Sequence, residues 1–136
     1  MKIVVGIDGS DRSKEALRWA AANLPGEIVA VYAYEAELPT TDLTPTAPVD
    51  FPGLVSEIHE GAVKLVAEVV DEVAGDTNVT ARAVEGPPAT VLLEEAAKAD
   101  LLVVGSHGAG LADVVLGSVS LECVERATRP VLVHRV

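Results

Sequence analysis

The sequence predicts an α/β domain, a doubly wound parallel sheet with helices on both faces. Two observations carry that prediction. Short continuous runs rich in Val, Ile and Leu recur at residues 3–7, 28–34, 101–104 and 131–133, the pattern of strands covered on both sides. Between them lie segments whose apolar residues repeat with helical spacing. Strand and helix therefore alternate along the chain as β-α-β-α-β-α-β-α-β, which favours parallel strands joined by crossover helices.

The first run, Ile3-Val4-Val5-Gly6-Ile7, follows Met1-Lys2 directly and is too short for the apolar core of a secretory leader. Ser10 is the expected N-cap of the next helix, and Asp11 and Glu15 suit its first turns. Ala16, Leu17, Ala20, Ala21 and Leu24 form its apolar stripe. After the second strand, residues 36–53 carry Pro39, Pro45, Pro48 and Pro52 among several threonines, so a long mobile loop or lid is expected there. Val55, Ile58, Ala62, Leu65, Val66, Val69 and Val73 mark the second helix. In Val79-Thr80-Ala81-Arg82-Ala83 apolar and polar residues alternate; one face of this strand meets solvent, which places it at a sheet edge. Pro87 and Pro88 open a third helix, where the missing N–H costs nothing, with Val91, Leu92 and Ala96 inward. A fourth begins after Gly117-Ser118, with Val119, Cys123, Val124 and Ala127 on one face.

The 136 residues, 49% hydrophobic and 23% charged, suit one globular domain over residues 1–136 with a core of its own. A lone cysteine, Cys123, excludes an internal disulfide framework and a multi-cysteine zinc site. It sits on an apolar stripe and is expected to be a buried small hydrophobe. No apolar run approaches the ~18 residues of a membrane span, and the expected location is the cytoplasm. The formal net charge of −11 argues against nucleic acid as a partner. It also means that any phosphate ligand must be held by local donors against an unfavourable field.

Ligands of open parallel sheets bind beyond the carboxyl ends of the strands, where strand order reverses. Three segments fall at such ends: Gly6-Ile7-Asp8-Gly9-Ser10, Ala33-Tyr34-Glu35, and Gly105-Ser106-His107-Gly108-Ala109-Gly110, the last followed by Gly117-Ser118-Val119-Ser120. There is no Gly-Lys-Ser/Thr, hence no P-loop, and the Gly-x-x-Gly-x-Gly order reverses the dinucleotide fingerprint. Two readings stay open on physics alone. The loop and the helix start bind an anion through free N–H groups and the Ser118 hydroxyl, or the glycines serve a tight turn and Ser118 simply caps its helix.

Taken together, Val4-Val5-Gly6-Ile7-Asp8-Gly9-Ser10, Val84-Glu85-Gly86-Pro87-Pro88-Ala89, Leu102-Val103-Val104-Gly105-Ser106-His107-Gly108, Leu116-Gly117-Ser118-Val119-Ser120 and Arg129-Pro130-Val131-Leu132-Val133 resemble the universal stress protein family across the chain, apart from residues 36–53. The resemblance implies a five-stranded, Rossmann-like sheet in the order 3-2-1-4-5, stress-response homodimers and, in one branch, bound ATP with magnesium. Carried over residue by residue, Asp8 would accept hydrogen bonds from the ribose or the adenine side. Ile7 would pack by the base, and the Ala33 backbone would read the adenine edge. Gly105, Gly108, Gly117 and Ser118 would hold phosphates, with Ser120 an addition.

The chain departs from the ATP-binding pattern in two ways. Eight residues separate Gly108 from Gly117 where that pattern has nine, and one residue is worth up to ~3.5 Å of reach. No Lys or Arg stands between Gly105 and Ser120, so only a protonated His107 would bring positive charge there. His59, His107 and His134 lack metal-ligand spacing, and His107 lacks the nucleophile and orienting acid of a general base. Glu35, Glu37, Asp42 and Asp50 read as solvation.

Three functions compete on these grounds. The leading one is a nucleotide-binding signalling dimer, paired through strand 131–135. The second is an interaction module of the same fold without a nucleotide, and the third a weak ATPase.

Overall fold

The structure is a computed structural model that describes residues 1–36, 51–75, 77–106 and 116–135. Its elements are β1 (Lys2–Ile7), α1 (Asp11–Asn23), β2 (Glu27–Tyr34), α2 (Phe51–Val73), β3 (Val79–Glu85), α3 (Pro88–Ala97), β4 (Leu101–Gly105), α4 (Ser118–Arg126) and β5 (Val131–His134). All four strand pairings are parallel, in the order β3-β2-β1-β4-β5. Strand order reverses beside β1, between β2 on one side and β4 on the other, and a crevice opens there.

The strands alternate between two cores. Ile3, Val5 and Ile7 of β1 turn toward α1 and α2, where they meet Leu17, Ala20, Val66 and Val69. Val4 of β1 turns the other way, with Val31, Leu102 and Val104, onto Val91 and Leu92 of α3 and Cys123 of α4. Both faces of the inner strands are thus filled by branched side chains, and this is why the apolar runs are continuous. On β3, Val79, Ala81 and Ala83 pack inward while Thr80 and Arg82 are exposed, the alternation expected of an edge. Arg82 meets Glu95 of α3 at 3.3 Å, so the charge of a nearly buried carboxylate has a partner.

Two expectations need correction. Residues 51–53 of the expected 36–53 loop belong to α2; Pro52 lies in its first turn, where proline is compatible with helix. The rest of that segment, residues 37–50, lies outside the described residues. Val124, expected on the buried stripe of α4, is 45% exposed, as is Leu121. These two sit three residues apart and share a face of the helix, whereas Cys123 alone turns fully into the core. Burial first, and the Glu122 charge second, push the Cys123 thiol up to about 11, which leaves it protonated and unreactive at neutral pH.

Candidate functional site

A cavity of about 430 Å³ opens at the carboxyl ends of β1, β2 and β4. Ile7 and Asp8 reach it from β1 and the turn after it, Ala33 from β2, Gly105 from β4, and Gly117, Ser118 and Ser120 from the start of α4. These seven are every described residue of the site that the sequence suggested. Gly108, with His107 and Ala109, lies outside the described residues.

The β1–α1 turn is fixed by short-range hydrogen bonds. Gly9 takes φ +85°, a conformation that a β-carbon disfavours, and this folds Ser10 back over Asp8. The Ser10 N–H donates to Asp8 Oδ1 at 2.8 Å, and the Ser10 hydroxyl donates to the same oxygen. Ser10 caps α1, accepting from the Ser13 N–H at 3.3 Å. The buried Ser13 hydroxyl donates to the Ser10 carbonyl and accepts from the Asp8 N–H. Burial acts to raise the Asp8 carboxyl, but the Ser10 hydrogen bonds, followed by those of Ser13 and of its own N–H, outweigh it. The group is held below the ordinary carboxylate range, and Asp8 presents an acceptor at the mouth of the cavity.

The sign of that shift gives a testable pH dependence. A carboxyl depressed in the folded state stabilises the fold above its unfolded value of about 3.9 and loses that contribution as pH falls through the folded one. Wild type is expected to unfold at higher urea than Asp8→Asn at pH 7, with the gap closing below about pH 4. A gap of constant size from pH 7 to pH 3 would show that the Asp8 charge plays no part.

Across the cavity, Gly117 rather than Ser118 is the N-cap of α4, at φ −64° and ψ 161°, with no side chain capping the helix. The first N–H groups of α4 therefore have no intrahelical partner, and they open on the cavity that Gly117, Ser118 and Val119 line. That removes the capping role weighed for Ser118, which is the first helical residue and exposed. The Ser120 hydroxyl donates to the Gly105 carbonyl at 2.7 Å. Its hydrogen ties the end of β4 to the start of α4, leaving its backbone N–H for a ligand.

Sequence reasoning missed five lining residues and one neighbour. Ser13, Tyr32, Pro88, Leu92 and Val104 also line the cavity, as does Ser106 of the third strand-end segment. Arg12, from the first turn of α1, donates from Nη1 to Ser106 Oγ at 2.8 Å. Arg12 stands outside residues 105–120, the stretch that carries no Lys or Arg. The signal lay in the topology, since α1 packs against β4 and its first turn follows the strand at the switch point. His59, exposed on α2, bonds instead to the Tyr34 hydroxyl. No group of three or more metal-ligating side chains occurs among the described residues, and none of their helices is long and apolar enough to cross a membrane.

A model of the universal stress protein family matches residues 1–135. The chain belongs to that family. A universal stress protein of Mycolicibacterium smegmatis is 35% identical over 139 residues, which cover 99% of this chain and 46% of the relative. Universal stress protein YxiE of Bacillus subtilis is 35% identical over 147 residues, 98% of each chain. This chain spans about half the length of the mycobacterial relatives it matches and nearly the whole of YxiE. Among solved structures, a universal stress protein in complex with cAMP is 31% identical, covers 99% of this chain and 96% of its own, and superposes with a TM-score of 0.64. The sheet order implied by the universal stress protein resemblance is the observed one.

Proposed function

We propose that the crevice binds an adenine nucleotide, ATP with magnesium foremost, and that the chain acts as a nucleotide-responsive stress protein and homodimer rather than a catalyst. One observation carries the reading. Residues from five separate segments of the chain line a single cavity, 430 Å³ in volume, within the ~300–1,000 Å³ range of small-molecule sites. In this reading Ile7 packs by the base, Asp8 accepts from the ribose or adenine side, and the Ala33 backbone meets the adenine edge. Gly105, Gly117 and Ser118 hold phosphates, Ser120 adds its N–H, and Gly108 completes the cradle. The related protein solved with cAMP supports adenine as the base.

A phosphoryl-transfer catalyst needs several positive groups around the transferred phosphate. The described lining residues include no Lys or Arg, which favours binding over hydrolysis. Pairing of two copies is supported by β5, which ends the sheet, and by the exposed Leu121 and Val124 on α4, the helix that packs beside it.

Calorimetric titration of the purified chain with ATP and magnesium, AMP and cAMP tests the site, after chromatography of any nucleotide released on denaturation. Saturable binding of at least one adenine nucleotide is expected. A nucleotide-free protein that binds none of them would overturn the reading in favour of an interaction module of the same fold.

A further inference from the structure

A phosphate site in a chain of formal net charge −11, with no Lys or Arg between Gly105 and Ser120, needs positive charge from elsewhere. α1 brings it. Arg12 is half-buried and fixed by its 2.8 Å hydrogen bond to Ser106 Oγ, although 94 positions separate the two in sequence. Ser106 directly follows β4 and lines the cavity beside Gly105. The backbones set this approach. A β-carbon on Gly105 would stand 3.1 Å from the Arg12 carbonyl oxygen and 3.2 Å from its carbonyl carbon, so glycine lets the first turn of α1 lie against the end of β4.

The other cations of α1 are engaged. Lys14 pairs with Glu72 at 3.3 Å and Arg18 with Glu15. Among the described residues Arg12 has no carboxylate within ion-pair distance. A guanidinium has five N–H donors in a planar fork that matches phosphate oxygens, and the Ser106 hydroxyl accepts from one nitrogen only. A half-buried cation held on a cavity-lining hydroxyl, with no carboxylate partner among the described residues, is suited to an anion arriving in the cavity.

We propose that Arg12 is the cation of the phosphate site, reading the phosphates of a bound adenine nucleotide from α1 in place of a basic residue in the glycine loop. The inference rests on the nucleotide reading above and adds a specificity to it. Arg12 discriminates by phosphate charge, favouring nucleoside phosphates over the bare nucleoside, and leaves the base untouched.

The test compares adenosine, AMP and ATP with magnesium by calorimetry on wild type, Arg12→Gln and Arg12→Lys. Arg12→Gln is expected to lose roughly tenfold or more in ATP affinity, less for AMP and nothing for adenosine. Arg12→Lys should retain part of the ATP affinity, because it keeps the charge without the fork. The wild-type preference for ATP should shrink as salt is raised. Equal losses for all three ligands would mean that Arg12 merely pins α1 to β4, and would overturn the proposal. So would a wild-type ATP affinity indifferent to salt, a readout that needs no variant to fold. Wild type binding adenosine and ATP equally well would remove the role of Arg12 and keep the nucleotide site. Wild type binding none of the three would remove both.

Discussion

Gly117→Val is expected to reduce nucleotide affinity at least a hundredfold while the protein stays folded. Gly117 lines the cavity immediately before the N–H groups of α4 that a phosphate would meet. Its φ of −64° and ψ of 161° lie in the region open to any L-residue, so valine meets no backbone strain there. The substitution adds three carbons where the phosphate must come within hydrogen-bond distance of the backbone, ~3 Å. The stability effect is small by comparison. Valine is a poorer N-cap than glycine, a difference of about 1 kcal/mol or less. Calorimetry and thermal unfolding on the same preparation separate the two effects. If wild type binds and Gly117→Val binds equally well, the ligand sits elsewhere and the roles of Gly105, Gly117 and Ser118 fall together. One glycine added after Ala109 probes the eight-residue spacing from the opposite direction. Tighter binding by that variant would identify the shortened segment as a limit on affinity.

The fold was legible because its signals are local. Continuous apolar runs marked the buried strands, and the alternation from Val79 to Ala83 marked the edge. The strand ends then located the crevice, because ligand sites of such sheets follow from topology. What escaped was long-range or depended on the rotation of a helix. Arg12 and Ser106 meet across 94 positions, a pairing that no spacing along the chain announces. Val124 follows Cys123 in sequence, and a step of one residue turns a helix by about 100°, enough to carry a side chain out of the core. The helical start at Phe51 was hidden by prolines that read as loop, although Pro52 stands where a helix accepts one.

The register of β5 decides which substitution disrupts the proposed dimer without unfolding the sheet. The Leu102 N–H donates to the Pro130 carbonyl and the Ser106 N–H to the His134 carbonyl. Carbonyls 130 and 134 thus point toward β4. In a parallel strand the backbone groups of alternate residues point to the same side, so Leu132 also faces β4. Val131 and Val133 direct their N–H and C=O groups to the free edge. Proline at 132 would break the β4–β5 pairing and disturb a side chain packed against the core beneath α1, so Leu132→Pro is expected to destabilise the fold. Val133→Pro instead removes an outward donor, and proline is tolerated on an edge strand when its N side faces away from the sheet. Two copies paired edge to edge about a twofold axis would run antiparallel and would lose that hydrogen bond twice. Sedimentation velocity at micromolar concentration is expected to give a dimer for wild type, a folded monomer for Val133→Pro, and monomer with aggregate for Leu132→Pro. A wild-type chain that sediments as a monomer would defeat the dimer itself. A Val133→Pro chain that remains as dimeric as wild type would move the interface off β5, with the exposed Leu121 and Val124 of α4 the next surface to substitute.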